Sequence, residues 1–199
     1  MSNTDVITIT RQYGSGGREI GQKLAENLKI PFFDKELIFL AAKDSGVSES
    51  FFDEADERMN GSLLYSLATA SEGALAKDIS FYDRLFQIQT AVIKKIAQNG
   101  PCVFVDSCAD YVLREEKRVF SIFIHAEDFS RMDRVVHRYG VRLEKAAESL
   151  VKKDQQRANY YNYYTNKQWG DPANYNLVID SAAVGIDDAV ELIKAAVAG

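Results

Sequence analysis

Residues 6–28 constrain the fold more than any other stretch, because a β-branched run, a glycine-rich turn and an amphipathic pattern follow one another without spare residues. The run at residues 6–10 is typical of a central parallel strand. Apolar residues then recur at four-residue spacing, which predicts a helix over residues 19–28 that ends before Pro31. A strand, a tight turn and a helix in this order aim backbone N–H groups at one point. We therefore expect this stretch to bind an anion.

The turn itself contains Gly14, Ser15, Gly16 and Gly17. Glycine-rich turns also occur as plain flexible connections. Phosphate binding is favoured here because a strand precedes the turn and a helix follows it. The consensus G-x-x-x-x-G-K-[ST] of phosphate-binding loops is not met, because no lysine stands at the expected place. The sequence thus predicts a phosphate-binding loop with altered side chains.

Strand-like and helix-like patterns alternate along the rest of the chain. Further strands are predicted at residues 30–34, 102–106, 119–125 and 177–180, and further helices at residues 35–42, 81–97, 129–139, 142–167 and 187–197. Strands that alternate with helices favour a parallel sheet covered on both faces. A chain of 199 residues fits one such α/β domain, which can bury about 70% of its unfolded surface.

Composition argues against several classes of function. The 24 basic and 29 acidic residues give a net charge of −5, which disfavours nucleic acid as a partner. We also expect no membrane partner and a cytoplasmic location, because no apolar run approaches the roughly 18 residues that span a bilayer and no leader-like pattern opens the sequence. Cys102 and Cys108 are interpreted as free buried thiols. His125 and His137 have no Cys or His at ligand spacing, so a metal role is not predicted for them.

Four segments carry a resemblance to a known family: RQYGSGGRE at residues 11–19, PFFDKEL at 31–37, ANYYNYYTNKQWGD at 158–171 and NYNLVIDS at 174–181. In this order they resemble the cytidylate kinase-like branch of the P-loop nucleoside monophosphate kinases. The resemblance implies a three-layer P-loop fold, a mostly five-stranded parallel sheet, an acceptor-binding insertion at residues 44–80 and a helical lid at residues 140–172. It also implies that ATP and Mg²⁺ are cofactors and that the γ-phosphoryl group of ATP passes to a nucleoside monophosphate or a related small acceptor.

Aligned with that family without gaps, the loop lacks two side chains. The family's lysine falls at Gly17 and a hydroxyl residue at Glu19. Arg18 is the first candidate to replace the lysine, since a guanidinium binds phosphate in bidentate fashion, and Arg11 at the loop entrance is the second. A solvated position in the first helical turn is the alternative for Arg18. The resemblance assigns nucleotide binding to the following residues: Arg11, Gly14, Ser15, Gly16, Gly17, Arg18 and Glu19.

Three more arginines are assigned to catalysis beside Arg18. Arg131 and Arg134 lie three residues apart on one predicted helix face, before the lid. Arg157 completes an Asp-x-x-Arg motif with Asp154 inside the lid. Phosphoryl transfer spreads negative charge over the transferring oxygens, so several guanidinium groups suit this chemistry. Lone arginines on polar helices are, however, usually solvated.

Four residues are assigned to the acceptor side: Asp34, Lys35, Asp106 and Asp154. Asp106 ends an apolar strand and is also the candidate ligand for Mg²⁺. Asp34 serves equally well as a helix N-cap. Relatives in the family commonly have Gly-Arg where Asp106 and Ser107 stand, so an arginine expected near the acceptor is absent.

The sequence leaves open two functions from different classes. The first is a kinase that acts on small-molecule nucleotides, and the second is a catalytically impaired nucleotide-binding or regulatory protein that keeps the fold. A pure assembly module is a third. The tyrosines at residues 160–164 and Trp169 either stack a base or pack the lid, and packing is favoured. The sequence leaves monomer and homo-oligomer equally open.

Overall fold

The structure is a computed structural model that describes residues 5–34, 36–38 and 72–198, with the backbone alone at residues 72–81. The strands are β1 (Val6–Arg11), β2 (Phe32–Phe33), β3 (Cys102–Val105), β4 (Val119–His125) and β5 (Leu177–Asp180). The helices are α1 (Gly17–Leu28), α2 (Glu72–Gln98), α3 (Ala109–Val112), α4 (Asp128–His137), α5 (Leu143–Thr165), α6 (Ser181–Val184) and α7 (Ile186–Ala198). A 3₁₀ turn spans Pro172–Asn174.

The sheet has five strands in the order β2-β3-β1-β4-β5, and every neighbouring pair is parallel. The predicted α/β fold with a five-stranded parallel sheet and helices around it is therefore confirmed. The carboxyl ends of all strands lie at one edge, and β3 and β4 flank the central β1. In open sheets of this kind ligands bind outside the carboxyl ends, where neighbouring connections diverge. This is the edge at which the glycine loop begins.

Two apolar layers cover the sheet, because successive side chains of a strand point to opposite faces. Ile7 and Ile9 of β1 pack with Ile20 of α1 and Ile193 of α7. Val6 lies in the opposite layer with residues of α2, β3 and α3. Burial on both faces explains why the strands read as continuous apolar runs. It also fixes the start of α1 over the carboxyl end of β1.

Several boundaries differ from the predicted ones. α2 begins at Glu72 instead of residue 81, because a helix propagates through residues that carry no apolar stripe once it has formed. β2 is confined to Phe32–Phe33. The helix predicted at residues 35–42 is helical at residues 36–38, and its remainder lies outside the described residues. α3 and α6 have four residues each, which is too short for a periodic signal.

Cys102 and Cys108 are both buried thiols, as predicted. Among the described residues, no helix combines the length and apolar character that crossing a bilayer requires. The lid prediction at residues 140–172 falls mainly on α5, whereas most of the insertion predicted at residues 44–80 lies outside the described residues.

A buried carboxyl group joins α3 to α5. The Tyr161 hydroxyl donates a 2.8 Å hydrogen bond to Asp110, and both side chains are buried. Burial raises the pKa of Asp110 above its usual 3.8, against the opposing effect of that hydrogen bond. The folded protein therefore binds this proton more tightly than the unfolded chain does, so its stability falls as pH rises through the raised pKa.

The variant Asp110→Asn should remove this part of the pH dependence while keeping an acceptor for Tyr161. We expect the unfolding free energy of D110N, relative to wild type, to increase as the pH rises above about 4. Thermal or urea unfolding at a series of pH values measures the difference. Asp188→Asn, at an exposed position, is the control and should show no such trend. A pH-independent difference for D110N would contradict the assignment.

Candidate functional site

The glycine loop connects β1 to α1 through two positions that favour glycine. Gly14 has φ 81° and Gly16 has φ 79°, both in the left-handed region that side chains disfavour. The first intrahelical bond of α1 runs from the Ile20 N–H to the Gly16 carbonyl at 3.0 Å. The N–H groups of residues 17–19 thus precede the helical ladder and are available to an anion.

An ion pair between buried Arg131 and partly buried Asp154, which we call the Tyr13 clamp, holds this loop. Arg131 Nε donates to the Tyr13 carbonyl at 2.9 Å, and the Tyr13 N–H donates to Asp154 Oδ1 at 2.7 Å. Arg131 Nη2 also pairs with Asp154 Oδ2. Burial raises the pKa of Asp154, and the bonds from Tyr13 and Arg131 oppose that rise. Arg131 and Asp154 therefore satisfy both backbone groups of one loop residue.

Other hydrogen bonds fix the remainder of the loop. The Ser15 hydroxyl donates to the Gln12 carbonyl at 2.9 Å, so it turns inward. Ser181, the first residue of α6, donates its hydroxyl to the Ser15 carbonyl at 2.5 Å. The Gln12 side chain accepts from the Ala126 N–H at 3.1 Å. The loop is thus fixed by β4 and α6 as well as by α4 and α5.

Arg134 lies against the loop at Gly16. Its Nη1 donates to Glu19 Oε2 at 3.0 Å. A β-carbon on Gly16 would lie 2.5 Å from Ile186 Cδ1 and 3.2 Å from the guanidinium carbon of Arg134. A side chain at residue 16 would therefore collide with Ile186 and crowd Arg134, whose guanidinium stands beside the start of α1.

A second cationic group surrounds Asp106 at the end of β3. Arg11 Nη2 lies 3.3 Å from Asp106 Oδ2, and Arg157 Nε lies 3.4 Å from the same oxygen. Asp106, Ser107 and Cys108 have φ values of 63°, 66° and 54°, so this turn holds three successive residues in the left-handed region. Such strain is typical of turns at functional sites.

This Asp106 group leaves buried polar atoms unsatisfied. Within the described part of the chain, Arg11 Nε, Arg157 Nη1 and Ser107 Oγ have no hydrogen-bond partner. Buried polar atoms nearly always have a partner, and a missing one commonly indicates a ligand or water. Two of these three atoms belong to guanidinium cations, so the missing partner is expected to be an anion.

Arg18 points to a different place from Arg11. Its Nε and Nη2 bind Asp34 Oδ2 at 2.9 and 2.7 Å, and its guanidinium lies over the Phe32 ring at 5.8 Å. Asp34 is buried and also accepts from the Leu37 N–H at 3.0 Å, so it caps the following helical turn. Lys35 lies outside the described residues. Arg18 and Asp34 thus form a pair at the end of β2.

The predicted site residues therefore fall into three groups. Arg11, Arg134, Arg157, Asp106 and Glu19 surround the glycine loop and the start of α1. Arg131 and Asp154 lie behind the loop as the Tyr13 clamp, and Arg18 and Asp34 pair at the end of β2. Their assignments to catalysis and binding stay predictions. The sequence interpretation missed Gln12 and Tyr13. Gln12 acts through its side-chain amide and Tyr13 through its backbone, and neither contact leaves a recognisable sequence motif.

The aromatic residues of α5 pack against the body of the domain. The Tyr160 hydroxyl donates to Gln89 at 2.7 Å, and Tyr164 stacks on Phe86 with a centroid separation of 4.0 Å. Trp169 meets Phe123 edge-on at 5.3 Å. Tyr163 alone among the four tyrosines at residues 160–164 is largely exposed. Packing, the favoured interpretation, is confirmed for these rings.

The model of the cytidylate kinase-like family matches residues 6–183 of this chain. The chain belongs to the cytidylate kinase-like family. A search of curated proteins finds no match. An uncharacterized protein from Eubacterium ventriosum is 27% identical in sequence, with a TM-score of 0.74 over 96% of this chain and 97% of that one.

Two solved kinases show that the fold is that of the P-loop kinases. A gluconokinase from Sinorhizobium meliloti is 14% identical, with a TM-score of 0.58 over 99% of this chain and 95% of that chain. A shikimate kinase from Acinetobacter baumannii is 13% identical, with a TM-score of 0.50 over 97% and 92% of the two chains. The cytidylate kinase-like member described here thus has a kinase fold.

The Tyr13 clamp predicts that the two carboxylates in contact with Arg131 contribute very differently to stability. Asp154→Ala leaves the buried Arg131 Nη2 and the Tyr13 N–H without their acceptor, so we expect a loss of about 3–5 kcal/mol in unfolding free energy. Asp128→Ala removes an acceptor that is 81% exposed, and it should cost under about 1 kcal/mol. Urea unfolding measures both. Similar losses in the two variants would show that Asp154 has no special role.

Alanine variants at two glycines distinguish the cost of backbone strain from the cost of steric crowding in the loop. An alanine at Gly140 meets only the strain of φ 70°, because its β-carbon has no neighbour within 4 Å, and should cost about 1–2 kcal/mol. An alanine at Gly14 has similar strain and a β-carbon 2.8 Å from the Arg131 carbonyl oxygen. We expect Gly14→Ala to cost about 1–3 kcal/mol more than Gly140→Ala in thermal unfolding. Equal costs would contradict this close packing of the loop on α4.

Proposed function

We propose that this protein is an ATP-dependent phosphotransferase that passes the γ-phosphoryl group to a nucleoside monophosphate or a related small acceptor. The observation that carries the proposal is the convergence of Arg11, Arg134 and Arg157 on a glycine loop that begins a helix. Phosphoryl transfer needs little covalent help from a protein, and catalysis comes from positioning and charge neutralisation. These groups supply both.

The charges around the loop favour a multiply charged anion. Among the described residues, Arg134 pairs with Glu19, whereas Arg11 and Arg157 share the carboxylate of Asp106. These three arginines and two carboxylates together carry a net positive charge in a place partly shielded from solvent, where electrostatic interactions are stronger than in water. Nucleotide phosphates bound at the N–H groups of residues 17–19 would provide the missing negative charge.

Mg²⁺ fits this arrangement through Asp106. A kinase commonly holds Mg²⁺ with one or two carboxylates, water and the nucleotide phosphates, and needs no larger protein cage. Arg11 and Arg157 both contact Oδ2 of Asp106, so Oδ1 is the oxygen that would serve the ion. When bound, Mg²⁺ would neutralise phosphate charge. Among the described residues no group of three potential metal ligands occurs, which is consistent with an ion held mainly by the nucleotide.

The acceptor is expected on the β2 side of the loop. Asp34, which is buried, and Arg18, which is about half exposed, form an ion pair there, and Lys35 and residues 44–80 follow in the sequence. Arg157 of α5, the main part of the predicted lid at residues 140–172, contacts Asp106 at the end of β3, the strand next to β2. We also propose that the partners are small-molecule nucleotides and that the protein acts in the cytoplasm. We propose neither nucleic acid nor a membrane as a partner.

The decisive experiment measures ATP consumption in a coupled assay with CMP, dCMP, UMP and AMP as acceptors. Turnover with one of them supports the proposal. ATP binding without turnover on this panel and on a set of small hydroxylated acceptors would instead support a regulatory protein that keeps the fold. Absence of any nucleotide binding would favour an assembly module. Nucleotide binding is measured by isothermal titration calorimetry.

Arg134 gives a sharper test of the site than overall activity does. Arg134→Gln removes a cation from the loop while keeping a donor for Glu19, and we expect kcat/KM to fall about 100-fold. Arg118→Gln is the matched control, because that side chain is 62% exposed and pairs with Asp5 at the amino end of the sheet. Both variants are compared by steady-state kinetics. Equal activity of R134Q and R118Q would remove Arg134 from the proposed chemistry.

A further inference from the structure

Gly17, which stands where a phosphate-binding lysine is expected, has no room for a side chain. A β-carbon there would lie 2.8 Å from Arg11 Cβ, 3.0 Å from Arg11 Cδ and 3.3 Å from Ile124 Cβ. The shortest of these separations is closer than carbon atoms pack without shifting. The obstacle is the stem of Arg11, which runs past the Gly17 backbone. Glycine at residue 17 and arginine at residue 11 therefore depend on each other.

The spacing of the two residues matches the two ends of the phosphate-loop consensus. In G-x-x-x-x-G-K the first glycine stands six places before the lysine. Counted back from Gly17, that place is Arg11, and Gly16 keeps the second glycine of the pattern. This chain has a cation where the consensus has glycine and glycine where the consensus has the cation.

We propose that the two positions have exchanged roles, so that Arg11 is the catalytic cation that contacts the transferring phosphates in place of the absent lysine. This inference rests on the proposed function. The Arg11 side chain starts from the strand end instead of the helix start, and it passes through the space that a side chain at residue 17 would enter. The missing lysine would then be a relocation of the positive charge within the same loop.

The state of the Arg11 guanidinium supports this role. Among the described residues it forms an ion pair with Asp106, at 3.3 Å, and it shares that partner with Arg157. Its Nε is buried and has no hydrogen-bond acceptor among the same residues. Burial lowers the pKa of Arg11 below its usual value; Asp106 opposes this shift and Arg157 adds to it. A phosphate oxygen at this place would supply both an acceptor and a compensating charge.

The competing arginines are occupied elsewhere. Arg18 binds Asp34 through two nitrogens at the end of β2. Arg131 is buried in the Tyr13 clamp. Arg134 lies at Gly16 and pairs with Glu19, so it approaches the loop from α4 and leaves the place of residue 17 to Arg11.

The test is a charge-exchange cycle of Arg11→Gly, Gly17→Lys and the double variant R11G/G17K. We expect R11G to reduce kcat about 100-fold or more, as the loss of a main electrostatic group does. G17K alone should unfold at a lower temperature than wild type, because its stem meets that of Arg11. The double variant restores the consensus spacing, and we expect it to recover at least about tenfold of the kcat lost in R11G.

A second measurement separates a catalytic role from a structural one. The ratio of ATP to ADP affinity, measured with fluorescent analogues, reports contact with the terminal phosphate and is insensitive to a general loosening of the fold. Arg11→Met keeps the apolar stem beside Gly17 and decides the question if R11G does not fold. We expect R11M to lose most of the wild-type preference for ATP. Arg118→Met, on the surface at the amino end of the sheet, is the control and should retain it.

The outcomes distinguish this inference from the function on which it rests. If wild type binds ATP and transfers phosphate but R11M keeps both the kcat and the ATP preference, the role of Arg11 is overturned and the kinase proposal stands. If R11G/G17K gains no activity over a folded R11G, the exchange of positions is overturned. If wild type binds no nucleotide, both proposals fall together.

Discussion

The ion pair of buried Arg131 and partly buried Asp154 is the interaction on which the rest of the site depends. It satisfies the N–H and the carbonyl of Tyr13, and the two charges lie on different helices, α4 and α5. A largely desolvated pair of this kind stabilises little by itself, because desolvation offsets much of the attraction. Its value is geometric, since it allows one shape of the loop and one relative position of the two helices.

That shape concentrates positive charge beside a helix start. β1 supplies Arg11, α4 supplies Arg134 and α5 supplies Arg157, so three separate elements place guanidinium groups within reach of the same loop. Asp106 pairs with Arg11 and Arg157, and Glu19 pairs with Arg134. Among the described residues, buried donors without a partner around Asp106 mark the place where an anion would complete the arrangement. Preorganised charge of this kind is what phosphoryl transfer requires.

Much of the fold was predictable because each strand is buried on both faces. β4 and β5 have the bounds that their apolar runs predict, and β1 and β3 differ from them by one residue. The short helices α3 and α6 were not predictable, since four residues give no helical period. The left-handed turn at residues 106–108 was equally hidden, because none of its residues is glycine.

The sequence by itself determined the order of strands and helices, the glycine loop, the family and the set of candidate arginines. These follow from local periodicity, turn chemistry and motif order, which neighbouring residues fix. Only the tertiary structure decided which arginine faces which partner. Arg18 is adjacent to the loop in sequence but pairs with Asp34, whereas Arg11 fills the space beside Gly17. Long flexible side chains reach several places from one backbone position, so their partners are set by what packs around them and by which carboxylates lie within reach.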